Sequence, residues 1–149
     1  MTDLKFNRIA KIQRCLLVAM SLVFLGLVNA RAADFKVIAN PSVSASSISA
    51  GDIKDVFLLD KDSLGGSHVE PVLTKSGPAH DAFLKEYLGK SDTALQAFYR
   101  SLVFTGKASM PKMLGSDAEV LAYVAKTKGA VGYVSSGAST EGVKVLAVK

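Results

Sequence analysis

The spacing of apolar positions changes several times along the chain, and each change marks an element. The longest apolar run comes first: C-L-L-V-A-M-S-L-V-F-L-G-L-V, from Cys15 to Val28, contains no charge. Lys5, Arg8, Lys11 and Arg14 precede it and Asn29-Ala30-Arg31-Ala32 follows. A basic head, an apolar stretch of about 14 residues and an A-x-A end describe a secretory signal peptide. A spanning helix needs about 20 apolar residues, so the run is short for an uncleaved anchor. Residues 1–32 are expected to be removed by a cut after Ala32, or failing that after Ala30. Residues 33–149 are then a single domain that is periplasmic or secreted. Cys15 stands ahead of the apolar core and does not read as a lipid-attachment cysteine.

Beyond the leader, Phe35-Lys36-Val37-Ile38-Ala39 is β-rich and predicts a first strand, which Asn40-Pro41 ends. Ser49 stands three residues before Asp52 in the manner of a helix cap, and Ile53, Val56 and Phe57 follow at helical spacing. Residues 59–67, with Gly65-Gly66, predict an exposed loop. Val69-Glu70-Pro71-Val72-Leu73 predicts a second strand, whose proline asks for an edge or a strand end. Pro78 opens a helix with Phe83, Leu84, Tyr87 and Leu88 on one face, and Gly89 stops it. Ser91 caps another helix, to about Phe104, with Leu95, Phe98, Leu102 and Val103 expected inward. Residues 108–115 read as a loop. Ser116-Asp117-Ala118-Glu119 is a capping box for a helix that Gly129 ends. Ala130-Val131-Gly132-Tyr133-Val134 and Val143-Lys144-Val145-Leu146-Ala147 are the remaining strands. Four strands interleaved with four helices predict an α/β domain with a small mixed sheet flanked by helices.

Charge changes the picture once the leader is set aside. The whole chain carries +5, but five of its 18 basic residues and one of its 13 acidic ones lie in residues 1–32. The remaining 117 residues keep 13 basic and 12 acidic side chains, so the basicity belongs to the leader and gives no argument for nucleic-acid binding. The single cysteine leaves with it, which excludes disulfides, thiol catalysis and cysteine metal sites.

Candidate chemistry is sparse. His68 and His80 lack the partners of a zinc site, and neither a G-x-S-x-G elbow nor a phosphate-cradling glycine loop is present. His80 and Asp81 are adjacent on a helix and do not face each other. No catalytic residue, metal or cofactor is expected, and the chain does not read as an enzyme. The informative stretch is Thr74-Lys75-Ser76-Gly77-Pro78-Ala79-His80, which passes from a strand end into a helix start. Free N–H groups at a helix start can hold phosphate or another oxyanion. Ser76 offers a hydroxyl, Gly77 lets the backbone approach closely, and Lys75 and His80 add cationic donors beside Thr74. The plain alternative is a capped helix with proline at its first position, and Pro78 removes one of the donors an anion would use. The serines of residues 42–47 are a second candidate polar rim, with a small polar turn as the alternative.

The order of these segments is similar to that of a family. Ile38-Ala39-Asn40-Pro41-Ser42, Ile53 with Val56-Phe57-Leu58, and Val72 through Ser76-Gly77 with Phe83 resemble phosphate ABC transporter substrate-binding proteins. So do Leu102 with Phe104-Thr105-Gly106-Lys107, and Gly129-Ala130-Val131-Gly132-Tyr133-Val134, over roughly residues 35–136. The resemblance implies one lobe of a type 2 periplasmic-binding-protein fold, in which Ser76 and Gly77 match an Arg…Ser-Gly-Thr anion motif. Pro78 replaces the threonine, and no arginine lies just upstream. Two readings follow: a solute-binding module for phosphate or a similar anion serving a membrane transporter, or an envelope adaptor or sensory module that keeps the fold without tight binding. The second calls for an apolar patch where the absent lobe would pack, and a homodimer through that face is a variant of it.

Overall fold

The β-rich run Phe35–Ala39 forms the first strand, β1, of a computed structural model that describes residues 34–149. The leader expected over residues 1–32 lies outside the described residues. Along the chain follow β2 (Ser47–Ile48), α1 (Ala50–Phe57), β3 (Ser63–Leu64), β4 (Ser67–His68), β5 (Glu70–Thr74), α2 (Pro78–Phe83) and α3 (Asp92–Phe104). β6 (Lys112–Leu114), α4 (Asp117–Lys126), β7 (Ala130–Ser135), β8 (Lys144–Val145) and β9 (Ala147–Val148) complete it. Among the described residues no helix is long and apolar enough to cross a membrane.

The main sheet has the order β6-β5-β7-β1-β8. β5 runs parallel to β6 and β7, while β1 is antiparallel to β7 and β8, so the sheet is mixed as the sequence predicts. Period-2 alternation gives the sheet two apolar faces. Phe35, Val37, Leu73, Val131 and Tyr133 pack with Phe57, Phe83, Leu95 and Tyr99 on one side, under α1, α2 and α3. Ile38, Val72, Ala130 and Val134 pack with Val120 and Val124 of α4 on the other. At Gly132 an added Cβ would lie 3.1 Å from the Val72 carbonyl oxygen and 3.2 Å from Val120 Cγ1, so the missing side chain lets α4 approach the sheet.

Several boundaries depart from the sequence pattern for local reasons. The second strand is not an edge: β5 lies between β6 and β7, and Pro71 is tolerated at its start because β6 pairs only from Val72 onward. β6 itself occupies part of the expected loop at residues 108–115. Three residues after a proline show no alternation, and pairing with β5 supplies what the pattern lacks. Residues 63–68 form a small β3–β4 hairpin turned by Gly65 and Gly66. The last strand is split at Leu146: β8 pairs with β1, and β9 crosses to β2. The helix from Pro78 ends in a π-helical turn, Leu84–Leu88, before Gly89 at φ 59°. On α3 the inward residues are Leu95 and Tyr99, while Val103 is 45% exposed because the helix end runs past the core.

Candidate functional site

Because β6, β5 and β7 are parallel, their last residues, Leu114, Thr74 and Ser135, share one edge of the sheet. The carboxyl edge of parallel strands is where open α/β sheets take up ligands, since the following helices point their free N–H groups at it. The helix starts differ in how those donors are used. Ser49, Ser91 and Ser116 cap α1, α3 and α4, their Oγ atoms accepting from the N–H groups of Asp52, Ala94 and Glu119 at 3.0, 3.2 and 3.3 Å.

At α4 two carboxylates take further donors. Glu119 Oε2 accepts from the Gly115 N–H at 2.7 Å, and Asp117 Oδ2 accepts from the Ser135 N–H at 3.1 Å. In the capping box read from the sequence, Glu119 would reach the Ser116 N–H; it engages the residue before instead. The start of α2 is different, because its cap residue is Gly77 and no side chain bonds the helix start. Pro78 has no N–H, so Ala79 and His80 carry the remaining amides without an intrahelical carbonyl.

Of the residues singled out in the sequence, Lys75 and Ser76 are exposed and Gly77 half-buried. Neither the Lys75 nor the Ser76 side chain has a hydrogen-bond partner among the described residues. The turn is pinned from below, since the Lys75 N–H donates to the Leu114 carbonyl at 2.8 Å. Gly77 has φ 122° and ψ 166°, a conformation essentially restricted to glycine, although an added Cβ would meet nothing within 4 Å. The backbone path, and not crowding, requires glycine there.

Thr74 and His80 are placed otherwise. Both are buried, and they belong to one internal hydrogen-bonded chain. Thr74 Oγ1 donates to Tyr133 Oη at 3.5 Å, and His80 Nδ1 lies 2.5 Å from the same Oη. His80 Nε2 lies 3.0 Å from Asp92 Oδ1, the carboxylate at the start of α3. With a neutral imidazole the roles are fixed: Nε2–H donates to Asp92, and Nδ1 accepts from the Tyr133 hydroxyl. Burial pushes the Tyr133 phenol well above its ordinary pKa, which keeps it a donor. The ring of Tyr133 also stacks on Phe83, centroids 4.0 Å apart. His80 is therefore a strut between β7 and α3, and its ring nitrogens are spoken for.

The serines at residues 42–47 stand apart from this edge. Ser42 Oγ accepts from the Gly129 N–H at 3.1 Å, just before β7, and Ser44 Oγ meets Ser67 Oγ of β4. Tyr133, Asp92, Asp117 and Glu119 also belong to this edge, and the sequence pattern does not mark them as site residues. Asp92 and Asp117 carry a signal, since each directly follows a capping serine, and Glu119 carries one as the third residue after Ser116; nothing local marks Tyr133 as the partner of His80, 53 positions away.

Known structures share this fold. No family model and no curated protein matches the chain. The crystal structure of PstS from Borrelia burgdorferi is similar over 78% of this chain at a TM-score of 0.61 and 15% identity. A phosphate ABC transporter substrate-binding protein from Clostridium perfringens, solved with bound phosphate, is similar over 77% at 0.60 and 14%. An ABC-type phosphate transport receptor from Vibrio cholerae is similar over 77% at 0.51 and 13%. This chain covers 47%, 44% and 46% of those chains, respectively. It has the fold of one lobe of these proteins. The lobe is the mixed sheet with helices on both faces, and its carboxyl edge carries the Lys75-Ser76-Gly77 turn.

Proposed function

We propose that the chain is a solute-binding module of the periplasm or the extracellular space, taking phosphate or a similar small oxyanion at the Lys75-Ser76-Gly77 turn. A membrane transporter is the partner this reading implies, and no catalysis is involved. One observation carries it: of the α-helix starts among the described residues, that of α2 is left without a side-chain cap, and it lies beside an exposed ammonium and hydroxyl. The likeness to phosphate-binding proteins of the same fold supports the choice of ligand. Lys75 supplies charge, Ser76 a hydroxyl donor, and the Gly77 backbone allows close approach. Thr74 and His80 hold the turn from inside.

The turn is open, and carboxylates of Asp117 and Glu119 occupy the neighbouring donors. An anion held by one ammonium and a few amides stays partly hydrated, so affinity is expected near the millimolar range, about −4 kcal/mol. The test is phosphate titration of the protein followed by backbone amide NMR. Shifts centred on residues 75–80 that vanish in a Lys75→Ala/Ser76→Ala variant support the site; shifts elsewhere, or unchanged by that variant, remove this turn from it.

The adaptor reading calls for an apolar patch on the face where a second lobe would pack. Among the described residues the most exposed large apolar side chain, Phe104, ends α3 beside residues 107–109, which border the start of β5, the end of the sheet away from the turn. That placement does not favour it.

A further inference from the structure

The end of the molecule away from the Lys75-Ser76-Gly77 turn carries features that binding at the turn leaves unused. Phe104, the last residue of α3, is 92% exposed, with Val103 exposed beside it. Single exposed apolar residues are ordinary, but Phe104 with Val103 beside it and an apolar-walled cleft next to them make a contiguous surface of the kind that takes a partner. Next to it is a cleft of about 620 Å³, to which Leu59, Val69 and Pro71 give apolar wall and Asp60, Asp62 and Glu70 give carboxylates. The two features are joined by the backbone: Lys107 and Ala108, which also line the cleft, donate their N–H groups to the Leu102 carbonyl in the last turn of α3.

Their charges are complementary. Lys61, at the cleft, is already engaged by Asp52 at 2.6 Å, so the carboxylates there outnumber the remaining lysine, Lys107. After Asp92, α3 carries one charge, Arg100, which is exposed and sits one turn before Phe104 on the same helix face. Arg100 has no carboxylate partner among the described residues. A cationic, aromatic knob thus stands next to an acidic, partly apolar hole. When knob and hole lie side by side on one surface, a two-fold rotation seats each knob in the other copy's hole.

We propose that a second copy of this chain docks on this end, with the Phe104 ring of each copy in the cleft of the other and Arg100 facing Asp60, Asp62 and Glu70. The dimer leaves both Lys75-Ser76-Gly77 turns open at its far ends, so it does not depend on anion binding there. Aromatic and arginine side chains are the usual anchors of such contacts.

The test is sedimentation equilibrium of the full chain expressed with its own N-terminal segment, purified as the cell releases it, with its N-terminus read by mass spectrometry. The mass should rise from one copy toward two between about 10 μM and 1 mM, the range of a small interface. Phe104→Glu, at a position too exposed to matter for folding, should weaken the dimer about tenfold or more. Arg100→Glu should weaken it as well, and Arg100→Glu/Asp62→Arg should recover part of the loss. A monomer throughout that range overturns the proposal, as does a dimer that Phe104→Glu leaves unchanged. A monomer that instead binds anionic lipid vesicles through Phe104 and Arg100 overturns it too, and gives the knob to a membrane surface.

Discussion

Replacing Tyr133 with Phe isolates the hydrogen-bonded chain that holds the candidate site, because the ring and its stacking on Phe83 stay while one hydroxyl goes. His80 Nδ1 then loses its partner in a place where the imidazole side chain is 0% exposed, and Thr74 loses its acceptor. An unpaired buried acceptor is worth about 1–3 kcal/mol in lost stability. For a chain of this size that lowers Tm by roughly 4–12 °C. The assay is urea unfolding followed by far-ultraviolet circular dichroism, with an unchanged m-value as the sign that only stability has moved. A second variant, His80→Phe, removes the acceptor itself and leaves Asp92 free to face water. In Tyr133→Phe/His80→Phe no buried partner is orphaned between the two rings, so the loss should fall about 1 kcal/mol or more short of the sum of the single losses. A Tyr133→Phe loss below about 0.5 kcal/mol, or strict additivity in the cycle, would refute the assignment of these contacts as a strut.

Three further outcomes follow from the same structure. Gly77→Ala should lose about 1–3 kcal/mol through backbone strain alone, as there is room for the methyl group; an unfolding midpoint equal to wild type would show that the turn relaxes freely. Burial raises the phenols of Tyr99 and Tyr133, so their contribution to stability is complete below about pH 10 and is lost as pH rises above it. An ultraviolet phenolate titration should therefore show two of the four tyrosines ionising together with unfolding, and four independent ionisations in a folded protein would contradict the packing. The hydrogen bond from Lys61, then that from Ser49, holds the Asp52 carboxyl below its usual range, which adds stability above the ordinary carboxylate pKa that disappears as pH falls through the lowered one. Lys61→Met should accordingly raise the pKa of Asp52 in a carboxyl NMR titration, and its deficit in Tm should shrink below about pH 4; a deficit that grows on acidification has the wrong sign.

Much of this architecture can be read from local pattern. The caps at Ser49, Ser91 and Ser116, the strand at 35–39 and the glycine stop at Gly89 are each set by a few neighbouring residues, and they stand where the pattern places them. What the pattern misses depends on partners far along the chain. β6 exists because β5 offers a parallel neighbour, and β9 because the chain leaves β1 at Leu146 to reach β2. The candidate site divides in the same way. Lys75, Ser76 and Gly77 are legible because a strand end, a glycine and a proline announce an open helix start. The burial of Thr74 and His80 is not, since their partner Tyr133 arrives from a strand formed much later in sequence. That long-range chain makes His80 part of the frame beneath the turn instead of one of its donors.

Isothermal titration of the purified protein with phosphate, with sulfate as control and at low and moderate salt, tests the central claim most directly. An exposed, charge-assisted site predicts measurable phosphate heat that weakens as salt rises and is lost in Lys75→Ala/Ser76→Ala. No heat with phosphate at either salt concentration, while the protein stays folded, would contradict it.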